Sequence, residues 1–314
     1  MTEVLGATLN SGREYGRHIS MINYFLGHKA EMAQEGAMEQ AMSTEQTGFG
    51  SLETIQLEWH EAILIVTLNR PAALNTLTET MILELTRLFE ALHQRTDVRV
   101  VILRAAGRAF CAGAELSDWT FTGTGGKVHR GLAIQRSIAR IMQLMRSCPQ
   151  PIIALGQGAA CGGGFSLLLS SDVRLAAPSL KMNAAYIRIG LSGCDMGSSY
   201  LLPRLVGSSI ASELLLTGRF IHADRALAIG LVSAVVEEAE LLNAGLSLAQ
   251  EMLSTNPLGL RLTKDGLNWA IDAPSMGAAM AMEDRQQILI SQTDDAAEAV
   301  DAFFAKRPPN YRDA

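Results

Sequence analysis

A net charge of -6 over 314 residues, with no run rich in lysine and arginine, argues against a sequence-independent nucleic-acid binder. Hydrophobic residues make up 48% of the chain and charged residues 18%, enough to bury a full core in one large domain or two. No apolar run approaches the roughly 20 residues that cross a bilayer, and the four cysteines and six histidines show neither paired nor clustered spacing, which argues against a disulfide frame or a metal site. The N-terminus lacks an apolar core followed by a small-residue cleavage site, so no signal peptide is read there, and the expectation is a cytoplasmic protein with reduced thiols.

Residues 1–50 form an N-terminal extension of unassigned role. Ile19, Ile22, Phe25 and Leu26 give one helical face, followed by a polar stretch rich in Met and Glu. It is either a mobile leader or a helix that docks on an oligomer. Leu52–Leu57 and Ala62–Leu68 read as two strands joined by a turn at His60 and Glu61. Thr76-Leu77-Thr78-Glu79 fits a capping box, and Met81, Ile82, Leu85, Leu88, Phe89 and Leu92 follow at helical spacing. Strand 98–103 comes next, and strand, helix, strand of this length implies a mostly parallel sheet. Residues 120–130, with Gly123, Gly125 and Gly126, are a loop; Val128 stands where a phosphate-binding loop needs Ser or Thr, so that motif is rejected. A helix is expected from Leu132 to Met145 and strands at 151–155 and 172–176. From Gly197 the pattern is almost wholly helical, which places an α/β core at 51–207 and a helical C-terminal region at 208–314.

Two glycine-bearing turns carry the chemistry. Gly156 to Ser166, with Gly162-Gly163-Gly164, follows the apolar run Ile152-Ile153-Ala154-Leu155 and leads into a helical pattern. Glycines at a helix N-terminus leave backbone N–H groups open to an oxygen carrying partial negative charge. Gly107 to Leu116 forms a second such turn after strand 98–103. Together with Leu68-Asn69-Arg70-Pro71, Ala73-Leu74-Asn75 and Leu202-Pro203-Arg204-Leu205-Val206-Gly207, these motifs resemble the crotonase superfamily, the enoyl-CoA hydratase/isomerase family, from about Leu52 to Ala314. The resemblance implies an α/β fold, a spiral of ββα-type units with a helical C-terminal trimerisation region, assembled as a homotrimer or homohexamer. It implies an acyl-CoA thioester as substrate, with coenzyme A part of that substrate and no bound cofactor, metal, nucleic acid or membrane.

By the same resemblance, the N–H groups of Ala114 and Gly163 match the family's oxyanion hole for the thioester. Hydratases of the family carry two catalytic glutamates at positions where this chain has Ser166 and Tyr186. The nearby acid is Asp195, at a position where relatives place a catalytic aspartate, although Asp ahead of Gly-Ser-Ser also reads as a helix cap. Arg70, Ala73, Leu74 and Ala112 are expected along the CoA moiety or beside the first turn, Trp119 as an acyl-pocket wall, and Ser166 and Tyr186 as substrate contacts. Lys306 and Arg307 are further candidates for CoA phosphates, and Glu115 reads as structural. The expected function is enolate stabilisation with double-bond isomerisation, Asp195 acting as acid and base. Hydration by water positioned on Ser166 or Tyr186 and non-catalytic acyl-CoA binding are the alternatives. A distant third is an NAD site, because Gly156-x-Gly158 and Gly162 approximate a dinucleotide fingerprint with one residue too many.

Overall fold

The computed structural model describes residues 49–115 and 126–314. The expected helical face at Ile19–Leu26, the Trp119 wall and the loop glycines Gly123 and Gly125 lie outside them. The chain divides at residue 52, and the second unit is Glu53–Ala314. The second unit is built on a sheet whose strands run in the order β1-β2-β3-β4-β6-β9. These are β1 Ile55–His60, β2 Ile63–Leu68, β3 Val100–Ala105, β4 Ile152–Gly156, β6 Val173–Ala176 and β9 Ala234–Val235. Strands β1 and β2 pair antiparallel across a tight turn in which Glu61 takes φ 55°, and every other neighbour in this sheet is parallel. A smaller sheet joins β5 Ala159–Cys161, β7 Lys181–Asn183 and β8 Ile221–His222.

Continuous apolar runs explain the central strands, because β2, β3 and β4 are buried on both faces. On one face Ile63, Ile65, Val100, Ile102, Ile153 and Leu155 pack under α7, Leu241–Leu253. Gly245 of α7 lets that helix approach, since a Cβ there would meet Leu155 Cδ2 at 2.9 Å. Of the helices named so far by pattern, α1 spans Glu79–Leu92, α2 Lys127–Ser147 and α3 Gly163–Ser170. Helix α1 buries Met81, Ile82, Leu85, Leu88, Phe89 and Leu92, each worth about 1.5–3 kcal/mol when a large apolar side chain leaves water. Its cap is Thr78, whose hydroxyl accepts from Met81 N–H, rather than the expected Thr76. Helix α2 begins at Lys127, so the end of the expected loop is helical.

Beyond Gly197 come α4 Ser198–Val206, α5 Ser208–Thr217, α6 Ala223–Ala228, α7, α8 Pro257–Ala270, α9 Met276–Ser291 and α10 Asp294–Ala305. This region is helical as expected, with one difference. Strand β9 returns from beyond residue 207 to the edge of the main sheet and β8 to the smaller one, so the sheets cross that division. Two-residue strands have no periodicity to detect and form because a sheet edge is already waiting.

Candidate active site

The first turn is braced from the segment after β2. Leu74 and Asn75 both take left-handed backbone, φ 53° and 55°, a conformation that side chains other than glycine rarely adopt without compensation. The compensation is a set of hydrogen bonds. Asn75 is fully buried; its Nδ2 donates to the carbonyls of Ala106 at 2.8 Å and Ala109 at 2.9 Å, and its Oδ1 accepts from Arg70 N–H at 2.7 Å. Arg70 Nη1 donates to Thr76 O at 2.8 Å, and Thr76 Oγ1 donates to Glu115 Oε2 at 2.9 Å. Glu115 is thus a structural tie. Arg70 spends part of its guanidinium inside this loop.

Residues 74–77 then run beside 112–115. Ala112 N–H donates to Leu74 O, Leu77 N–H to Gly113 O and Glu115 N–H to Leu77 O. Successive N–H groups of extended backbone face opposite ways, so with Glu115 N–H turned to Leu77 the Ala114 N–H points to the other side. Among the described residues it donates to no carbonyl.

The second turn follows β5. Gly162 takes φ 50° and ψ -113°, its N–H donates to Asn183 O, and α3 starts at Gly163. The first bond closing α3 is Ser166 N–H to Gly162 O, and among the described residues the Gly163 N–H likewise has no carbonyl partner. Each glycine answers a different requirement: Gly162 its positive φ, Gly164 a Cβ position only 2.1 Å from Cys111 O, and Gly163 one 2.7 Å from Leu77 Cδ1. Leu77 therefore touches both turns, pairing its backbone with Ala114 and laying its side chain on Gly163. The structure brings Arg70, Ala73, Leu74, Ala112, Ala114 and Gly163 into one neighbourhood through these contacts.

The third component is the loop before α4. Met196 takes φ 45° and its Sδ lies 3.7 Å from the Cβ position of Gly163, which sets Asp195 beside the second turn. The Asp195 side chain does not cap α4, where Gly197 stands at the cap without a side-chain bond. Instead its Oδ1 accepts from Gln135 Nε2 of α2, while its own N–H donates to Ser198 Oγ at 3.1 Å. Burial pushes the Asp195 carboxyl up, against the opposing effect of the Met196 amide and Gln135. Gln135 was not legible as a site residue, and the only signal for it is a polar residue on the buried stripe of α2.

Ser166 is fully buried and Tyr186 nearly so, and neither hydroxyl has a hydrogen-bond partner within the described protein. The Tyr186 ring lies 3.6 Å from the Cβ position of Gly162. Burial raises its phenol, with Ser198 and Ser166 close enough to oppose that shift and Asp195 adding to it. The two hydroxyls sit beside a half-buried carboxylate and near one another, without a well-formed bond between them.

Some expectations are corrected. Gly156 and Gly158 are separated from α3 by strand β5, so the strand, turn and helix of a dinucleotide fingerprint are not there. Arg307 pairs with both oxygens of Glu298, at 2.6 and 2.9 Å. A cavity of 1090 Å³ between the end of α2, the start of α4 and α8, lined in part by Cys148, Tyr200, Leu258 and Lys264, includes none of the expected site residues. All four cysteines are free, and among the described residues no cluster of His, Cys, Asp and Glu could hold a metal ion and no helix is long and apolar enough to cross a membrane.

The model of the enoyl-CoA hydratase/isomerase family matches residues 58–314. A protein named probable enoyl-CoA hydratase from Mycobacterium leprae (strain TN) is 37% identical over 259 residues, covering 80% of this chain and 87% of its own length. The 1,2-epoxyphenylacetyl-CoA isomerase of Escherichia coli (strain K12) is 31% identical over 260 residues, covering 83% of this chain and 98% of its own. The crystal structure of an enoyl-CoA hydratase from Bacillus anthracis superposes with a TM-score of 0.79 at 30% identity, covering 83% of this chain and all of that one. With fold, turns and sequence in agreement, this chain belongs to the enoyl-CoA hydratase/isomerase family of the crotonase superfamily.

Proposed function

We propose that the protein binds an acyl-CoA thioester, stabilises its enolate with the N–H groups of Ala114 and Gly163, and moves a double bond with Asp195 as the single acid and base. The observation that carries this reading is the asymmetry of the site. One half-buried carboxylate stands beside the second turn, while Ser166 and Tyr186, at the positions matching the hydratases' glutamates, present neutral hydroxyls. Hydration across a double bond is well served by two carboxylates that share the water's protons. A shift of the double bond needs one base that removes a proton from Cα and returns it to Cγ, with the electron pair held meanwhile on the thioester oxygen. Two preorganised donors on that oxygen supply about 10² to 10³ in rate each, and a placed base about 10² to 10⁴. CoA enters as part of the substrate, along Arg70, Ala73, Leu74 and Ala112.

A second reading is favoured by the orphan hydroxyls. Ser166 and Tyr186 could hold a water for addition to an enoyl-CoA. Incubating 2-enoyl and 3-enoyl CoA esters in isotopic water separates the readings. Deuterium at Cα and Cγ without ¹⁸O uptake supports isomerisation, and a 3-hydroxyacyl product carrying ¹⁸O supports hydration. Tight CoA-ester binding without proton exchange would identify a non-catalytic binder.

The same reading includes a homotrimer or homohexamer. Met276 and Ile288 on α9 and Phe303 and Phe304 on α10 are 79%, 65%, 78% and 77% exposed in the single chain, which suits burial against further copies. Sedimentation analysis tests the assembly. A cytoplasmic location belongs to this reading too and is checked by cell fractionation.

A further inference from the structure

Gln135 occupies a place in α2 where an apolar residue would ordinarily stand. Gln135, Ile138, Met142 and Met145 follow one another at helical spacing, and the last three are buried. A polar side chain at the head of a buried stripe requires a partner, and this one has Asp195, 60 residues further along the chain. The contact is directional. Nε2 of the amide donates to Oδ1 of the carboxylate, and the Met196 N–H also favours the ionised form.

We propose that Gln135 is the positioning residue for Asp195, holding one carboxylate oxygen so that the other meets the substrate in a single orientation. The inference rests on Asp195 being the acid and base. No ion pair with Asp195 occurs among the described residues. The titratable group that faces it is Tyr186, from the turn Ala185–Ile189. Gln135 of α2, Ser166 of α3 and Ser198 of α4 are neutral. Burial favours the protonated acid, and first the Met196 N–H and then the Gln135 amide oppose it by bonding the ionised form. A neutral donor suits a shuttle: it steadies the carboxylate without the strong stabilisation an arginine would give, which would leave the base too weak to accept a proton.

The test compares wild type with Gln135→Leu, which lacks the donor, and Gln135→Glu, which keeps length and adds a carboxyl. Thermal unfolding and CoA-ester binding confirm that each variant is folded. Asp195 is titrated directly by ¹³C NMR of its carboxyl carbon, and solvent deuterium exchange of the substrate α-proton gives the pH profile. In Gln135→Leu the Asp195 titration is expected to move up by about one pH unit, with exchange slowed about tenfold and KM within about twofold of wild type. Gln135→Glu is expected to move the titration further in the same direction, because two carboxyls share the space. An Asp195 titration in Gln135→Leu that superimposes on wild type overturns the proposal, whatever the rates do. If Asp195→Asn retains full exchange, the acid and base reading falls and the positioning role falls with it. If Asp195→Asn abolishes exchange while Gln135→Leu leaves both titration and exchange unchanged, only the positioning role is lost.

Discussion

Gly113 packs its α-carbon against the carbonyl of Cys161, so closely that a Cβ on Gly113 would sit 3.1 Å from that oxygen and 4.0 Å from Gly163 N. The two turns are therefore pressed together at glycine, and the spacing of the Ala114 and Gly163 amides depends on that contact. Gly113 also holds φ 108°, which an L side chain rarely adopts. Gly113→Ala is expected to fold less stably by about 1–3 kcal/mol through crowding and backbone strain. It should also lose about 10² or more in kcat by displacing the paired donors. Denaturant unfolding and steady-state kinetics on the same preparation check both.

Asp195→Asn should abolish α-proton exchange, a loss of about 10² to 10⁴, while CoA-ester binding persists. Its effect on stability has the opposite sign. A carboxyl whose folded value lies above the ordinary 3.8 contributes stability that is present below 3.8 and lost as the pH rises through the raised value. At neutral pH the neutral Asn is expected to melt no lower than Asp. In the wild type, catalysis should fall on acidification through a limb lying above the ordinary carboxylate value, read from kcat/KM against pH.

Tyr186→Phe removes a buried hydroxyl that has no partner in the folded chain. The free enzyme should be no less stable, since the buried O–H makes no well-formed bond there. If the hydroxyl meets substrate or its water, kcat/KM falls in the same variant. A variant that melts no lower and turns over more slowly is the expected result, measured by calorimetry and by the exchange assay.

Lys264 is a buried hub that ties α8 to the core. Its Nζ donates to Met145 O at 2.9 Å and Gln150 O at 2.8 Å and pairs with Asp172 Oδ2 at 2.9 Å. Lys264→Met keeps the bulk and leaves the two carbonyls unanswered, while Asp172 retains Arg146, at an expected cost of about 1–3 kcal/mol. Urea unfolding measures it, and Asp172→Asn added to Lys264→Met should cost further stability, because Asp172 also pairs with Arg146 Nη1 at 2.8 Å.

The C-terminal tail should respond to acid. Glu298 is held down at about 2, against an ordinary 4.5, chiefly by its bond to Arg307 and next by the Asn310 N–H, which donates to Oε1 at 2.7 Å. A depressed carboxylate contributes stability above 4.5 that is lost as the pH falls toward about 2. The Asn310 amide shift, followed by NMR, should titrate in that window, and Arg307→Ala should move the midpoint upward.

Much of the fold was legible because its signals are local. The runs at Ile63–Leu68 and Ile152–Leu155 are apolar on both faces, and α1 repeats its buried residues at a helical period, so each segment declares its own partner surface. The cap of α1 was misplaced by two residues because Thr76 and Thr78 carry the same hydroxyl. Only the three-dimensional path of the chain sends Thr76 to Glu115 and leaves Thr78 for Met81. The edge strands β8 and β9 left no trace, since they are too short for a period and exist by virtue of their neighbours.

The candidate site divides in the same way. By itself the sequence determined that two glycine-bearing turns follow buried strands and that Ser166 and Tyr186 are not carboxylates, because residue identity and short-range backbone preference are written in the chain. Tertiary structure alone decided that Gly164 is glycine for the sake of Cys111 O, that Leu77 links the two turns, and that Gln135 reaches Asp195. Those contacts join segments far apart along the polypeptide, and their geometry is set by how sheets and helices pack, which no local pattern of residues encodes.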